Sequence, residues 1–190
     1  MGSFMAIQGL WSVPWLMEVN GYSREIAARH LLVTGVVILS GYFLIGTFST
    51  ALARRGVAPR HLFAAGFFLH TLMLALIVSG VPVATYLLWA LYGLGSSVNI
   101  LGYTVVTEGF AAELAGRANT ALNLMMFVAS FVAQWGIGII VDLARRVTGA
   151  DVGGALPYAF ALVLAADVVV CVWFASRWRR YAAVVHPAIA

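Results

Sequence analysis

RANTALNLMMFVASFVAQWGIGIIVD, residues 117–142, begins at Arg117, ends at Asp142 and holds no charge between them. At a rise of 1.5 Å per residue, about 20 apolar residues cross a 30 Å hydrocarbon core, so this stretch is long enough to span a bilayer. It nevertheless carries Asn119, Asn123, Ser130 and Gln134, at offsets 0, +4, +11 and +15. With 3.6 residues per turn, those four stack on one helical face. An apolar helix with an amide-rich stripe is stable in lipid only if the stripe turns toward other helices or a water-filled cavity. Unpaired polar groups in hydrocarbon cost several kcal/mol. The stretch therefore predicts an α-helical polytopic membrane protein with a polar interior.

Composition agrees. Hydrophobic residues make up 63% of the chain and charged ones 9%, against about 25% charged in a soluble domain. The mean hydropathy is +0.97. A soluble core of this size cannot hide so much apolar surface, so lipid has to cover it. The single cysteine, Cys171, excludes an internal disulfide and a cysteine-based metal site. Lysine is absent and the net charge of +4 comes from arginines grouped in loops, a pattern of membrane orientation and not of nucleic-acid binding. The start, Met1 to Ala6, has no basic region of the kind that opens a cleavable signal.

Charges and turn residues divide the chain into six apolar segments, at about 2–17, 31–53, 62–79, 83–107, 118–141 and 158–176, followed by a basic tail at 177–190. Together, residues 1–190 read as one transmembrane domain. The first segment is short: the 17 residues before Glu18 give about 26 Å of helix, and Pro14 interrupts them. It has no flanking charge and looks cut off. The loops after segments two, four and six carry seven arginines, Arg54, Arg55, Arg60, Arg117, Arg177, Arg179 and Arg180. The other loops carry four, Arg24, Arg29, Arg145 and Arg146. The bias places the first set, and the C-terminus, in the cytoplasm. Trp178 and Tyr181 suit an interfacial anchor.

Segment four repeats the stripe, with Tyr92, Ser96, Asn99 and Tyr103 at 0, +4, +7 and +11. Gly93, Gly95 and Gly102 would let it bend or let a neighbour approach closely. Segment one offers Gln8, Trp11 and Trp15 at 0, +3 and +7. Amides, hydroxyls and aromatic rings on three segments are the means of holding a small organic solute. Taken singly, each of these residues is also ordinary helix–helix glue.

Asp167 is the one acid deep within a span. It is a candidate for proton coupling, since intramembrane carboxylates are costly, although its neighbours in sequence are uniformly apolar. His70, mid-span in segment three, reads as a hydrogen-bonded packing residue. His30 and His61 sit at span ends and His186 in the tail. No two histidines stand at i, i+4, so no metal site is indicated, and no cofactor is implied. Glu108, Glu113 and Arg117 border one loop and could pair with Arg54 or Arg55 as gating charges.

Three stretches carry a resemblance to the C-terminal half of a major facilitator superfamily transporter. Gly46-Thr-Phe-Ser-Thr-Ala-Leu-Ala-Arg-Arg resembles the superfamily's loop signature Gly-x-x-x-Asp-Arg-x-Gly-Arg-Arg at Gly46, Arg54 and Arg55. Thr50, Ala51 and Ala53 replace its Asp, Arg and second Gly, so the loop's usual charge pairing does not carry over intact. Ala115-Gly-Arg-Ala-Asn-Thr-Ala-Leu-Asn-Leu, with Gln134-Trp-Gly-Ile-Gly, is similar to the eleventh helix of a bacterial branch of these transporters. Ala6-Ile-Gln-Gly-Leu-Trp-Ser-Val-Pro-Trp-Leu resembles the seventh. The resemblance implies two inverted repeats of three helices, with segments one and four lining a central cavity and segments three and six peripheral.

It also implies alternating-access transport of a small solute across a bacterial inner membrane, no enzymatic activity, and a missing or separate N-terminal six-helix half. Gln8, Trp11, Trp15, Asn99, Tyr103, Asn123 and Gln134 would face the substrate. The alternative is a non-transporting membrane subunit or a degenerate transporter fragment. Six spans also suit rhomboid-type serine proteases, but Gly95-Ser96-Ser97 continues with Val98, where that family's Gly-x-Ser-Gly motif requires glycine.

Overall fold

The computed structural model describes residues 2–81 and 84–185, except for the side chains of 178–185. Among them all regular structure is helical. The first segment is an irregular helix: α1 (Gly2–Ala6), a π turn (Ile7–Trp11), α2 (Ser12–Pro14) and a second π turn (Trp15–Val19). In the first π turn, Ser12 N–H reaches Ile7 O, one residue beyond α spacing. Pro14 lacks the N–H that an α-helix would need at that point, and wide turns on either side accommodate it. The helix runs two residues past the expected end, through Glu18 to Val19.

α3 (Arg24–Arg54) begins before the expected Leu31 because its polar first turns are supported locally. Ser23 Oγ accepts from Ile26 N–H at 3.3 Å, and Glu25 pairs with Arg29 one turn on. α4 (Pro59–Val78) opens on a proline at its first turn, where no N–H is needed.

The fourth segment is helical from Thr85 to Thr107 but is not one regular α-helix. It divides into α5 (Thr85–Ser97), a 3-10 turn (Val98–Ile100) and α6 (Leu101–Thr107). Ser97 Oγ donates to Leu94 O at 2.7 Å, a side-chain bond that competes with α spacing where the helix tightens. α7 (Ala115–Thr148) extends past Asp142 through Arg145 and Arg146, whose charges suit a helix C-terminus, and stops at Gly149 with φ +69°. α8 (Val152–Val185) starts ahead of the expected 158; Asp151 Oδ1 accepts from Gly154 N–H at 2.8 Å. The expected basic tail continues this helix as far as Val185. The side chains of Trp178, Arg179, Arg180 and Tyr181, and the whole of His186, lie outside the described residues.

α5 packs between α3 and α4, α7 packs against α1 and α8, and α4 meets α8 across the middle. Aromatic rings fill the centre: Trp15 lies 4.4 Å from Phe160 and Phe4 5.4 Å from Tyr92, centroid to centroid. The helix spans Arg24–Arg54, Pro59–Val78, Ala112–Thr148 and Val152–Arg177 are each long and apolar enough to cross a membrane. At most 33% of the most apolar stretch of each is buried, and large side chains such as Phe43, Phe68, Phe131 and Val169 point outward. In a soluble protein such a surface would aggregate. It marks an integral membrane protein.

Candidate functional site

α7 carries Asn119, Asn123, Ser130 and Gln134 down one side, but α1 crosses the middle of that stripe. A Cβ on Gly2 would fall 2.7 Å from Ser130 N, and Ser130 is buried there. On either side of the crossing the stripe stays accessible: Asn119 and Gln134 are half-buried and Asn123 is exposed. At one end, Trp11 Nε1–H donates to the Gln134 carbonyl at 3.3 Å, while its ring rests over Gly138. Gln8 joins them, half-buried. At the other end, Tyr103 Oη donates to Asn123 Oδ1 at 2.8 Å, and the 3-10 turn presents Asn99, half-buried. Among the described residues, Gln8 Oε1 and Asn119 Oδ1 have no hydrogen-bond partner although both atoms are enclosed.

Trp15 does not share this face. Trp15, at the start of the second π turn, packs on Phe160 in the core. Tyr92 and Ser96 also point inward, to a second polar centre formed around His70.

His70 is 2% exposed and Asp167 7%. Their approach is Nε2 to Oδ2 at 3.4 Å. Ser3 Oγ, from α1, donates to Asp167 Oδ1 at 3.1 Å. On the far side of the imidazole, Nδ1 lies 2.7 Å from Ser96 Oγ, which itself donates to the Tyr92 carbonyl at 2.9 Å. The Ser96 hydroxyl has one proton, and with that proton on the Tyr92 carbonyl Nδ1–H is the donor to Ser96; the direction follows the imidazole tautomer. Nε2 has no hydrogen-bond partner among the described residues, and at 3.4 Å from Oδ2 it stands where a proton on either group would lie between the two. The Tyr92 ring stacks on the imidazole at 4.4 Å.

The apolar neighbourhood expected of Asp167 is therefore true along α8 but not across it. Ser3 and His70 arrive from α1 and α4. Asp167 and His70 were both visible as mid-span titratable groups, and their shared depth was the one available signal; that they meet depends on the α4–α8 packing. Asp167, His70 and Ser96 thus follow one another across three helices, and Ser96 is 2% exposed.

The loop charges Arg54, Arg55, Glu108, Glu113 and Arg117 are exposed. Glu25 pairs with Arg29 instead, and no ion pair joins Arg54 or Arg55 to Glu113 among the described residues. Comparison with protein-family models, with curated proteins and with solved structures finds no match to this chain.

Proposed function

We propose that the chain is one half of a secondary transporter that moves a small solute by alternating access, with the accessible face of α7 as one wall of the solute path. The observation that carries this reading is the partly accessible amide and aromatic face made by Asn123, which is exposed, with the half-buried Gln134, Trp11 and Tyr103, on an otherwise apolar bundle. Such a face cannot rest against hydrocarbon, so water, solute or a second bundle covers it. A separate six-helix half is the partner that the superfamily resemblance implies.

The helix contacts support two inverted repeats. Exchanging segments one, two and three for four, five and six turns the α1–α7 packing into α5–α3, and α4–α8 into itself. The α7–α8 packing has no equal between α3 and α4. Under this reading the interrupted first and fourth segments are spans, and their irregular backbone lines the cavity. The arginine bias supports a cytoplasmic C-terminus, and the superfamily resemblance implies a bacterial inner membrane. Asp167, sharing a proton with His70, is the candidate coupling group.

Cysteine accessibility tests the wall. In a Cys171→Ser background, Asn99→Cys and Asn123→Cys should react in cells with a membrane-impermeant maleimide, which needs a hydrated thiolate. Met125→Cys, exposed and two residues from Asn123 on the opposite side of α7, should stay unlabelled. If both wall positions are as inert as Met125→Cys, the stripe is helix glue and the chain a non-transporting subunit or degenerate fragment. Coupling has its own readout: Asp167→Asn should abolish proton-driven accumulation while leaving downhill solute exchange in place.

A further inference from the structure

A cavity of about 460 Å³ lies between α1, α7 and α8, with Phe67 of α4 in its lining and none of the amide residues of the stripe. Its size is that of a small-molecule site. Its mouth is formed by Val132, Leu162 and Val170, all about half exposed or more, so it opens on the apolar outer surface of the bundle. Its walls are small and smooth at Ala129, Ala133 and Gly136. Among the described residues lining it, Asp167 alone is ionisable, with Ser3 beside it. Oδ2 of the carboxylate faces His70, and the Ser3 hydroxyl reaches Oδ1 at 3.1 Å and Oδ2 at 3.4 Å. The other titratable groups at this place are His70 from α4 and Tyr92 stacked on it from α5. The residues of α1 and α7 lining the cavity contribute none.

We infer that this fissure binds a lipophilic primary amine that enters from the bilayer, with Asp167 as its counter-ion. The charge count favours that ligand. A carboxylate in hydrocarbon is costly when unpaired, and an apolar pocket with one acid selects an apolar body with one cationic end. The bilayer delivers the uncharged base. Its nitrogen lone pair takes the proton shared by His70 and Asp167, and the resulting ammonium donates both to the Asp167 carboxylate and to Nε2 of the neutral imidazole. No net charge enters the membrane in that step. The new ammonium can also donate to Ser3 Oγ, whose hydroxyl already points to Asp167. In bulk water near pH 7 the amine is itself an ammonium ion, and it leaves that proton behind, so each binding event releases one proton to solution. The site does not depend on solute transport along the amide wall; it depends on the shared proton of His70 and Asp167.

The experiment is isothermal titration calorimetry of the full chain in zwitterionic-lipid nanodiscs, with 1-adamantylamine as probe and empty nanodiscs as reference. Binding should be saturable, with one proton released per amine as read from buffers of different ionisation enthalpy. Adamantane-1-carboxylate, of the same shape and opposite charge, should not bind. Asp167→Asn should weaken amine binding at least tenfold. Gly136→Leu should do the same with the carboxylate intact, since nothing lies within 4 Å of an added Cβ there and the side chain can occupy the cavity. Equal binding of the carboxylate probe, amine binding without proton release, or amine binding unaffected by either substitution would overturn the inference. Thermal unfolding of each variant identifies loss through misfolding. Should Asp167→Asn fail to fold, the Gly136→Leu and carboxylate-probe arms still decide the outcome. An intact amine site in a protein whose Asn123→Cys is unlabelled would separate this inference from the transport reading.

Discussion

His70→Leu should destabilise the bundle by about 3 kcal/mol, and Asp167→Leu added to it should recover most of that loss. Breaking a buried pair by removing one partner costs roughly 3–5 kcal/mol, because the remaining group has neither water nor a counter-charge. Here the cost falls at the low end: Asp167 can take the shared proton for itself and keeps the Ser3 hydroxyl. Ser96 loses the Nδ1–H donor at the same time, but its own proton stays on the Tyr92 carbonyl, so that side leaves only an acceptor unfilled. Replacing both members by leucine removes the polar demand entirely, and buried ion pairs exchanged for apolar side chains of similar volume are often neutral or better. Reversible unfolding in mixed detergent micelles, run as a double-mutant cycle, measures the coupling. If the two substitutions simply add, His70 and Asp167 do not share a proton and the hydrogen-bond directions assigned to Ser96 are wrong.

The same pair marks where sequence ceases to be informative. Four apolar helices were legible because length and hydropathy need no tertiary knowledge: a run such as residues 117–142 either clears the thickness of a bilayer or does not. The face shared by Asn119, Asn123 and Gln134 was legible for a similar reason, since helical period fixes it. Contacts made by other elements were not. Ser130 lies on the same stripe but is covered, because α1 crosses there with Gly2 against it. Trp15 is in step with Trp11 in an ideal helix, yet it packs on Phe160 of α8, a contact that helical period does not give. Asp167 looked isolated because its neighbours in sequence are apolar; its partners Ser3 and His70 stand 164 and 97 positions away in the chain. Local pattern finds the lipid-facing envelope and the phase of a stripe, whereas the polar centre is a product of which helices touch.

Gly95→Ala should cost about 2 kcal/mol, a larger loss than any other single added methyl on α5 with a flexible neighbour. α5 is wedged between α3 and α4, and its glycines set how closely those helices approach. An added Cβ at Gly95 would stand 2.6 Å from His70 N and 2.9 Å from Gly66 O. Both are backbone atoms, so no rotamer change relieves the contact and α4 as a whole has to move away. Overpacking of that kind typically costs 1–3 kcal/mol. At Gly93 the nearest atoms belong to the Thr34 and Ile38 side chains, which can rotate, so Gly93→Ala should cost less. Gly35→Ala, with nothing within 4 Å of its Cβ, should be neutral or stabilising by up to about 1 kcal/mol, as alanine replacing glycine in a helix generally is. Thermal unfolding of the three variants ranks them directly. Gly95→Ala carries a second expectation that stability alone does not: displacing the α4 backbone at His70 lengthens its approach to Asp167. The coupling energy between His70 and Asp167, measured again in the Gly95→Ala background, should fall by at least half. An unchanged coupling would mean that α4 absorbs the methyl without moving His70, and that the glycine spacing of α5 sets packing density but not the position of the shared proton.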